Sequence, residues 1–218
     1  MSLRGVIVIG AGGHARVVAD ALLASGRTVL GFTDRDARLH GNQVLGLPVL
    51  GDDSALAQHD RDMIELALGL GTVGAAQDTL RRKQVQQALQ NQGWKMASVR
   101  HPNAVVSNFA RVLPGAQLLA SCVVQAGAEV GEGCIVNTAA VIEHDTVVGA
   151  YSHVAPRALL CGNVIVGACS HIGAAAVVRQ GLQLGEQTVV AAGAVVVHHC
   201  KGHTLLVGVP AKPREVQS

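Results

Sequence analysis

The sequence predicts a small α/β domain with a parallel sheet over residues 1–98, followed by a three-sided parallel β-helix over residues 99–218. Two observations carry this. Up to about residue 98, apolar strands alternate with amphipathic helices, an order that places helices against a parallel sheet. Beyond residue 100 the helical pattern stops. Every sixth residue from Val106 to Val196 is then Val, Leu or Ile, sixteen positions without a break.

In the first unit, Leu3 to Ile9 reads as a buried strand and Gly10-Ala11-Gly12-Gly13 as a loop. His14 to Ser25 reads as a helix, with Val17, Val18, Ala21 and Leu22 on one face. Thr28 to Thr33 is a second strand, closed by Asp34, and Asp52 or Asp53 caps a short helix ending near Gln58. Met63 to Leu68 is the third strand, Gly69 to Gly74 a loop, and Ala75 to Asn91 a polar-faced helix. Trp94 to Val99 is the last strand.

In the second unit, the residue two before each aliphatic position is mostly small, as at Ala104, Cys122, Cys134, Ala158 and Ala176. Gly131, Gly149, Gly167 and Gly185 recur at a spacing of 18, each just after an aliphatic position. Three hexads therefore make one triangular coil. The aliphatic residue points into the prism and the small residue fits its narrow interior. Stacked coils pair as parallel sheet about 4.8 Å apart. About five coils fit between residues 101 and 197.

Composition narrows the function. Apolar residues are 49% of the 218, but only Phe32, Trp94, Phe109 and Tyr151 are aromatic. That suits wound strands and argues against a base-stacking nucleic-acid surface. A net charge of +2 is too small to imply a polyanionic partner. The five cysteines are odd in number and form no C-x-x-C pair, so they read as reduced thiols of a cytoplasmic protein. No long uninterrupted apolar stretch suggests a membrane span or signal peptide.

Three segments carry chemistry. Gly10, Gly12, Gly13 and His14 lie in a G-x-G-x-x-A loop between strand and helix, and Asp34 ends the next strand. The spacing fits a dinucleotide such as NAD, another nucleotide, or a purely structural turn. In Glu143-His144-Asp145, the column of His144 holds Ala126 one coil earlier and Gly162 one coil later, which leaves a slot beside the imidazole. His153 and His171 share another column, 18 apart, and should stack. A decorative role on a prism face is the plain alternative for these histidines. The tail Val207-Gly208-Val209-Pro210-Ala211-Lys212 reads as a turn that also caps the open end of the prism. His198, His199, Cys200 and His203 do not have a zinc spacing, and no metal is expected.

The glycine loop, unbroken hexads, Glu-His-Asp segment and Gly-Val-Pro-Ala-Lys tail together resemble the bacterial nucleotide-sugar acetyltransferases, the group around sialic acid O-acetyltransferase. The resemblance covers nearly the whole chain. It implies a Rossmann-like first domain and a left-handed β-helix, against the usual right-handed crossover. It implies transfer of acetyl from acetyl-CoA to the amine of a nucleotide-linked 4-amino-4,6-dideoxy sugar, in a homotrimer with sites between neighbouring prisms, for surface glycan synthesis. His144 would be the general base and Asp145 its polarising neighbour. Asn137 would hold the amine or sugar; Gly10, Gly12, Gly13, His14 and Asp34 would hold the nucleotide-sugar. His153, Gly162, Gly173, Val209, Pro210 and Lys212 would serve acetyl-CoA, with His153 on the thioester and the Gly162 amide on the oxyanion. Many members carry a short Gly-Asp/Asn-x-x-x-Arg segment after the third strand, whereas this chain has Gly69-Leu70-Gly71-Thr72-Val73-Gly74, which leaves the base open. Sialic acid O-acetylation is the other enzymatic reading; an NAD-linked oxidoreductase and a non-catalytic binding protein follow it. The chain lacks a second catalytic domain for the one, and an intact Glu143-His144-Asp145 argues against the other.

Overall fold

The computed structural model describes residues 5–72 and 76–214. The first domain holds a four-stranded sheet of β1 (Gly5–Ile9), β2 (Val29–Thr33), β5 (Ile64–Leu68) and β6 (Lys95–Met96), and a separate two-stranded antiparallel hairpin of β3 (Gln43–Val44) and β4 (Leu47–Pro48). Its main strands run parallel in the order β2-β1-β5-β6. β1 is central and reads GVIVI because both its faces are covered, with Val6, Ile7 and Val8 at 0% exposure. Helix α1 (Gly13–Ala24) packs on one face through Val18, Ala19, Ala21 and Leu22, while Leu56, Leu89 and Trp94 cover Ile7 and Leu66 on the other. Helix α2 (Ala76–Asn91) follows β5. Leu3, Arg4, Val73, Gly74 and Ala75, all in expected elements, lie outside the described residues.

Several expectations need correction. Val17 is 41% exposed at the rim of a cavity, not in the apolar face of α1. The helix capped by Asp52 is a 3-10 helix over Asp53–Gln58, with Asp52 Oδ1 accepting from Ser54 N at 2.9 Å. The hairpin β3–β4 was not anticipated; Leu45 and Gly46 both have positive φ, as a tight hairpin turn requires. The expected last strand splits in two. Ala97 N donates to Leu66 O in the first sheet, whereas Val99 N donates to Ala116 O in the prism, so pairing partners change between them.

The prism has three parallel sheets and about six turns, one more than expected. Face one holds seven parallel strands from Val99–Arg100 to Leu205–Val207, which lie outside the hexad run and extend it at both ends. Face two runs from Val105–Val106 to Val195–Val196, and face three from Arg111–Val112 to Gln183–Leu184. From Val105–Val106 to Val195–Val196 each strand is two residues long, and the second is the aliphatic residue of the hexad, buried through most of the prism. Polar members of the small column are accommodated because their hydroxyls bond to main-chain carbonyls, as Thr146 to Cys161 O and Ser152 to Gly167 O. The glycine column is steric: a Cβ on Gly149 would come within 2.5 Å of Ala168 N on the next coil.

The corners obey a rule not read from the sequence. Every sixth residue from Gly115 to Gly193 has φ between 54° and 74°, fourteen in all, nine of them not glycine. The first domain packs on face one, where Val99, Leu119 and Ile135 join the core beneath α1.

Candidate active site

The glycine loop follows from β1 and α1. Gly10 has φ +97°, a conformation that favours glycine, and Gly12 is the N-cap of α1 with no side chain to cap the free amides. A Cβ on Gly12 or Gly13 would meet nothing within 4 Å, so protein packing does not demand these glycines. They border a cavity of about 560 Å³ instead. The same cavity is lined by His14, Asp34, Thr72, Arg82, Asn137 and His153. All six residues assigned to the nucleotide-sugar therefore meet in one place, and residues 103 to 127 positions apart in the chain, such as Asn137 and Gly10, face each other across it.

Local bonds hold this wall. Asp34 Oδ2 accepts from Ala11 N at 2.8 Å and Oδ1 from Asp36 N at 2.9 Å, so the carboxylate orders the loop. Gln117 on face one donates through Nε2 to Leu68 O at 2.7 Å, which turns its Oε1 toward His14; His14 Nε2 then donates to it at 2.8 Å. Burial, partly opposed by this bond and aided by Arg82, lowers the His14 pKa to about 4. A Cβ on Gly71 would lie 3.1 Å from His14 Cβ, a tight contact.

His153 occupies the face-one column beside His171, as the 18-residue spacing requires. Their rings meet edge to face, with centroids 5.0 Å apart and planes at 85°. Thr72, reaching over from the first domain, has its Oγ1 2.6 Å from His153 Nδ1 and 3.0 Å from His171 Nδ1. Asn137 Nδ2 is 3.0 Å from His153 Nε2. Burial first, then the nearby His171, Arg82 and His14, hold the His153 pKa well below the ordinary value; burial lowers that of His171, with Asp78 opposing. A second cavity of about 490 Å³ adjoins this group and is lined by Thr72, Asn137, His153, His171 and Gly173 among others.

His144 and Asp145 lie elsewhere, on the corner between faces two and three, opposite face one. His144 Nδ1 donates to Asp145 Oδ2 at 2.8 Å, and both side chains are exposed. This bond assigns the proton to Nδ1 and leaves Nε2 as a lone-pair acceptor. The ring lies over Gly162, where an added Cβ would strike Nε2 and lie 2.6 Å from Cε1. Asp145 sits in the left-handed corner position, with its carboxylate against Gly127 one coil earlier. Among the described residues the Gly162 N–H donates to no protein acceptor. Val209, Pro210 and Lys212 belong to the closing hairpin, in which Leu205–Val207 pairs with Lys212–Arg214; they line neither cavity. No group of His, Cys, Asp or Glu that could hold a metal occurs among the described residues.

The sequence reading missed Arg82 and Gln117, took Thr72 only as part of the Gly69–Gly74 loop, and expected His171 to stack on His153 without placing it in the site. Gln117, His153 and His171 do share one face-one column, so polar residues in that column were a usable signal. Thr72 and Arg82 gave none, since only packing against the prism brings them to the cavity.

Residues 5–89 match the PglD N-terminal domain family. PerB from Caulobacter crescentus, solved with CoA and GDP-perosamine, is 37% identical over 98% of this chain and 99% of that one, with a TM-score of 0.87. The acetyltransferase domain of PglB from Neisseria gonorrhoeae, solved with acetyl coenzyme A, is 36% identical over 98% of this chain and 100% of that one, with a TM-score of 0.88. WeeI from Acinetobacter baumannii shares the fold at 22% identity, with coverage of 96% and 99% and a TM-score of 0.79.

Proposed function

The chain belongs to the nucleotide-sugar acetyltransferases that join a PglD N-terminal domain to a hexapeptide left-handed β-helix, and from that premise we propose that it N-acetylates a nucleotide-linked 4-amino sugar with acetyl-CoA. The observation that carries the chemistry is the imidazole of His144, its Nδ1 held by Asp145 and its Nε2 free above Gly162. A sugar amine must be neutral to attack. His144 Nε2 takes the amine proton as the N–C bond forms at the thioester carbonyl. The Gly162 amide donates to the oxyanion. The C–S bond then breaks, and the CoA thiolate leaves with the proton returned from His144.

In this reading the 560 Å³ cavity takes the nucleotide-sugar, with its phosphates at the uncapped start of α1. His153 and Gly173 face the thioester end of acetyl-CoA, and Val209, Pro210 and Lys212 flank the rest of the coenzyme. The cavity on face one and His144 on the opposite corner of the same prism cannot share one substrate, which supports a homotrimer whose sites pair the cavity of one chain with the His144 of its neighbour. We place the enzyme in the cytoplasm, where acetyl-CoA is made and where its free thiols persist, and in surface-polysaccharide synthesis.

Thiol release from acetyl-CoA, measured against 4-amino-4,6-dideoxy sugars on UDP, GDP and dTDP, tests the reading. Transfer to the amine of at least one is expected. Acetylation of sialic acid hydroxyls with no transfer to any amine would replace it with O-acetylation.

A further inference from the structure

The contacts around Thr72 define more than a clamp between the domains. A threonine hydroxyl holds one proton, so between two ring nitrogens it donates to one and accepts from the other. Asn137 decides which. Its Oδ1 accepts from Thr138 N at 2.8 Å, which turns its Nδ2 toward His153 Nε2 at 3.0 Å. His153 Nε2 is thus the acceptor. The neutral ring carries its proton on Nδ1 and donates it to Thr72 Oγ1. The Thr72 hydroxyl must then donate to His171 Nδ1, and neutral His171 carries its proton on Nε2. Every bond in the chain Asn137, His153, Thr72, His171 points the same way.

Such a chain reverses only as a unit. His153 Nε2 gains a proton, and the Nδ1 proton passes to Thr72 oxygen. The hydroxyl proton passes to His171 Nδ1, and His171 Nε2 releases its own. Water in the second cavity, which both rings line, supplies the proton to His153 Nε2 and takes the one from His171 Nε2, so net charge is unchanged. The reversed form presents an N–H at His153 Nε2, which can no longer face the Asn137 amide nitrogen. It is the donor that a thioester carbonyl at this position needs. Asn137 and His153 line both cavities, so occupancy by substrate can move Asn137 off Nε2 and permit the reversal.

We propose that Thr72 and His171 are positioning residues of a proton relay that sets which nitrogen of His153 carries the proton, and so switches Nε2 from acceptor in the free enzyme to donor toward the acetyl thioester. This rests on the reading that His153 serves the thioester. Both rings are held neutral by burial, as the relay requires.

The test is histidine tautomer assignment by two-bond proton–nitrogen correlation spectra of the full chain labelled with ¹⁵N-histidine, joined to a double-mutant cycle. Wild type without ligand should show the proton on His153 Nδ1, and acetyl-CoA with an accepted nucleotide amino-sugar should move it to Nε2. Thr72→Ser should preserve both states and keep kcat within about threefold. Thr72→Val and His171→Phe should each lower kcat by roughly tenfold or more, with little change in KM for the sugar, and the double variant should lose no more than either alone. Losses that multiply, a Thr72→Val enzyme within twofold of wild type, or an Nε2 proton in the free wild type would each overturn the relay. Absence of any acetyl transfer by wild type would instead remove the functional reading, while the tautomer of the free protein would still test the assignment.

Discussion

At the scale of single residues, the corner at His144 works by contact with glycine. The imidazole can lie flat over residue 162 only because no Cβ stands there. His144→Ala is expected to lower kcat by roughly 10²–10⁴-fold, the usual contribution of a general base. Asp145→Asn should cost less, because it changes only the partner of Nδ1. Gly162→Ala should fall between, since it displaces the ring without removing it; steady-state kinetics on the three variants would check this order. Acetyl-CoA affinity of His144→Ala, by calorimetry, should stay close to wild type. His14 gives a second prediction. In the unfolded chain it protonates near 6.5, in the native protein only at about 4. The unfolded state therefore binds more protons between those values. The stabilisation is complete above pH 6.5 and is lost as pH falls toward 4, by about 3 kcal/mol. Denaturant unfolding of His14→Gln should show a flatter dependence in that window than wild type.

At the scale of elements, each coil depends on two backbone conditions that hydrophobic pattern does not express. The stacking of coils needs a bare Cα at the glycine column, and Gly149→Ala, with its Cβ within 2.5 Å of Ala168 N, is expected to destabilise by about 3 kcal/mol or more. The corners need a left-handed residue, and non-glycine residues there carry a cost of about 1 kcal/mol. Ala175, with φ 55°, is the converse case: Ala175→Gly should raise stability by roughly 0.5–1 kcal/mol. Thermal denaturation of the pair checks both signs. Helix α2 poses a different problem. Arg82 is 1% exposed, and its Nε, Nη1 and Nη2 have no hydrogen-bond partner among the described residues. Burial lowers its pKa to about 10, which corresponds to a cost of about 3 kcal/mol for keeping it charged. Arg82→Met should therefore stabilise the free protein by roughly 1–4 kcal/mol. The same variant should weaken binding of a nucleoside diphosphate, because it removes a cation from the wall of the first cavity. A fall in melting temperature would contradict the first half, and unchanged affinity the second.

At the scale of the whole molecule, the division of the site decides what must assemble. Faces two and three leave Val105 63%, Val147 38% and Ile165 42% exposed, apolar surface suited to a neighbouring prism. Light scattering at micromolar concentration should report a trimer, and a mixture of His144→Ala chains with chains disabled at the cavity by Asn137→Ala should recover part of the activity that each lacks. A stable, active monomer would end this account. Much of the molecule was legible in one dimension. The hexad and its triple at 18 residues impose a three-sided prism, because a repeat places each side chain at a known height and on a known face. That same arithmetic set His153 beside His171 and Gly162 beside His144. The α/β order and the glycine loop likewise follow from local pattern, since strand and helix periodicities and a positive-φ Gly10 are properties of a few neighbouring residues. Other features had no local signature. That the chain exchanges one sheet for another between Ala97 and Val99 depends on where the backbone of Leu66 and of Ala116 comes to lie. Thr72 meets the two histidines, and Arg82 loses its solvent, only because the first domain docks on face one and not on the other two. The sequence determined the prism, its columns and the corner that carries His144. Docking alone decided which face became a cavity wall, because contacts between residues 80 to 100 positions apart are set by the fit of two surfaces and leave no period in the chain.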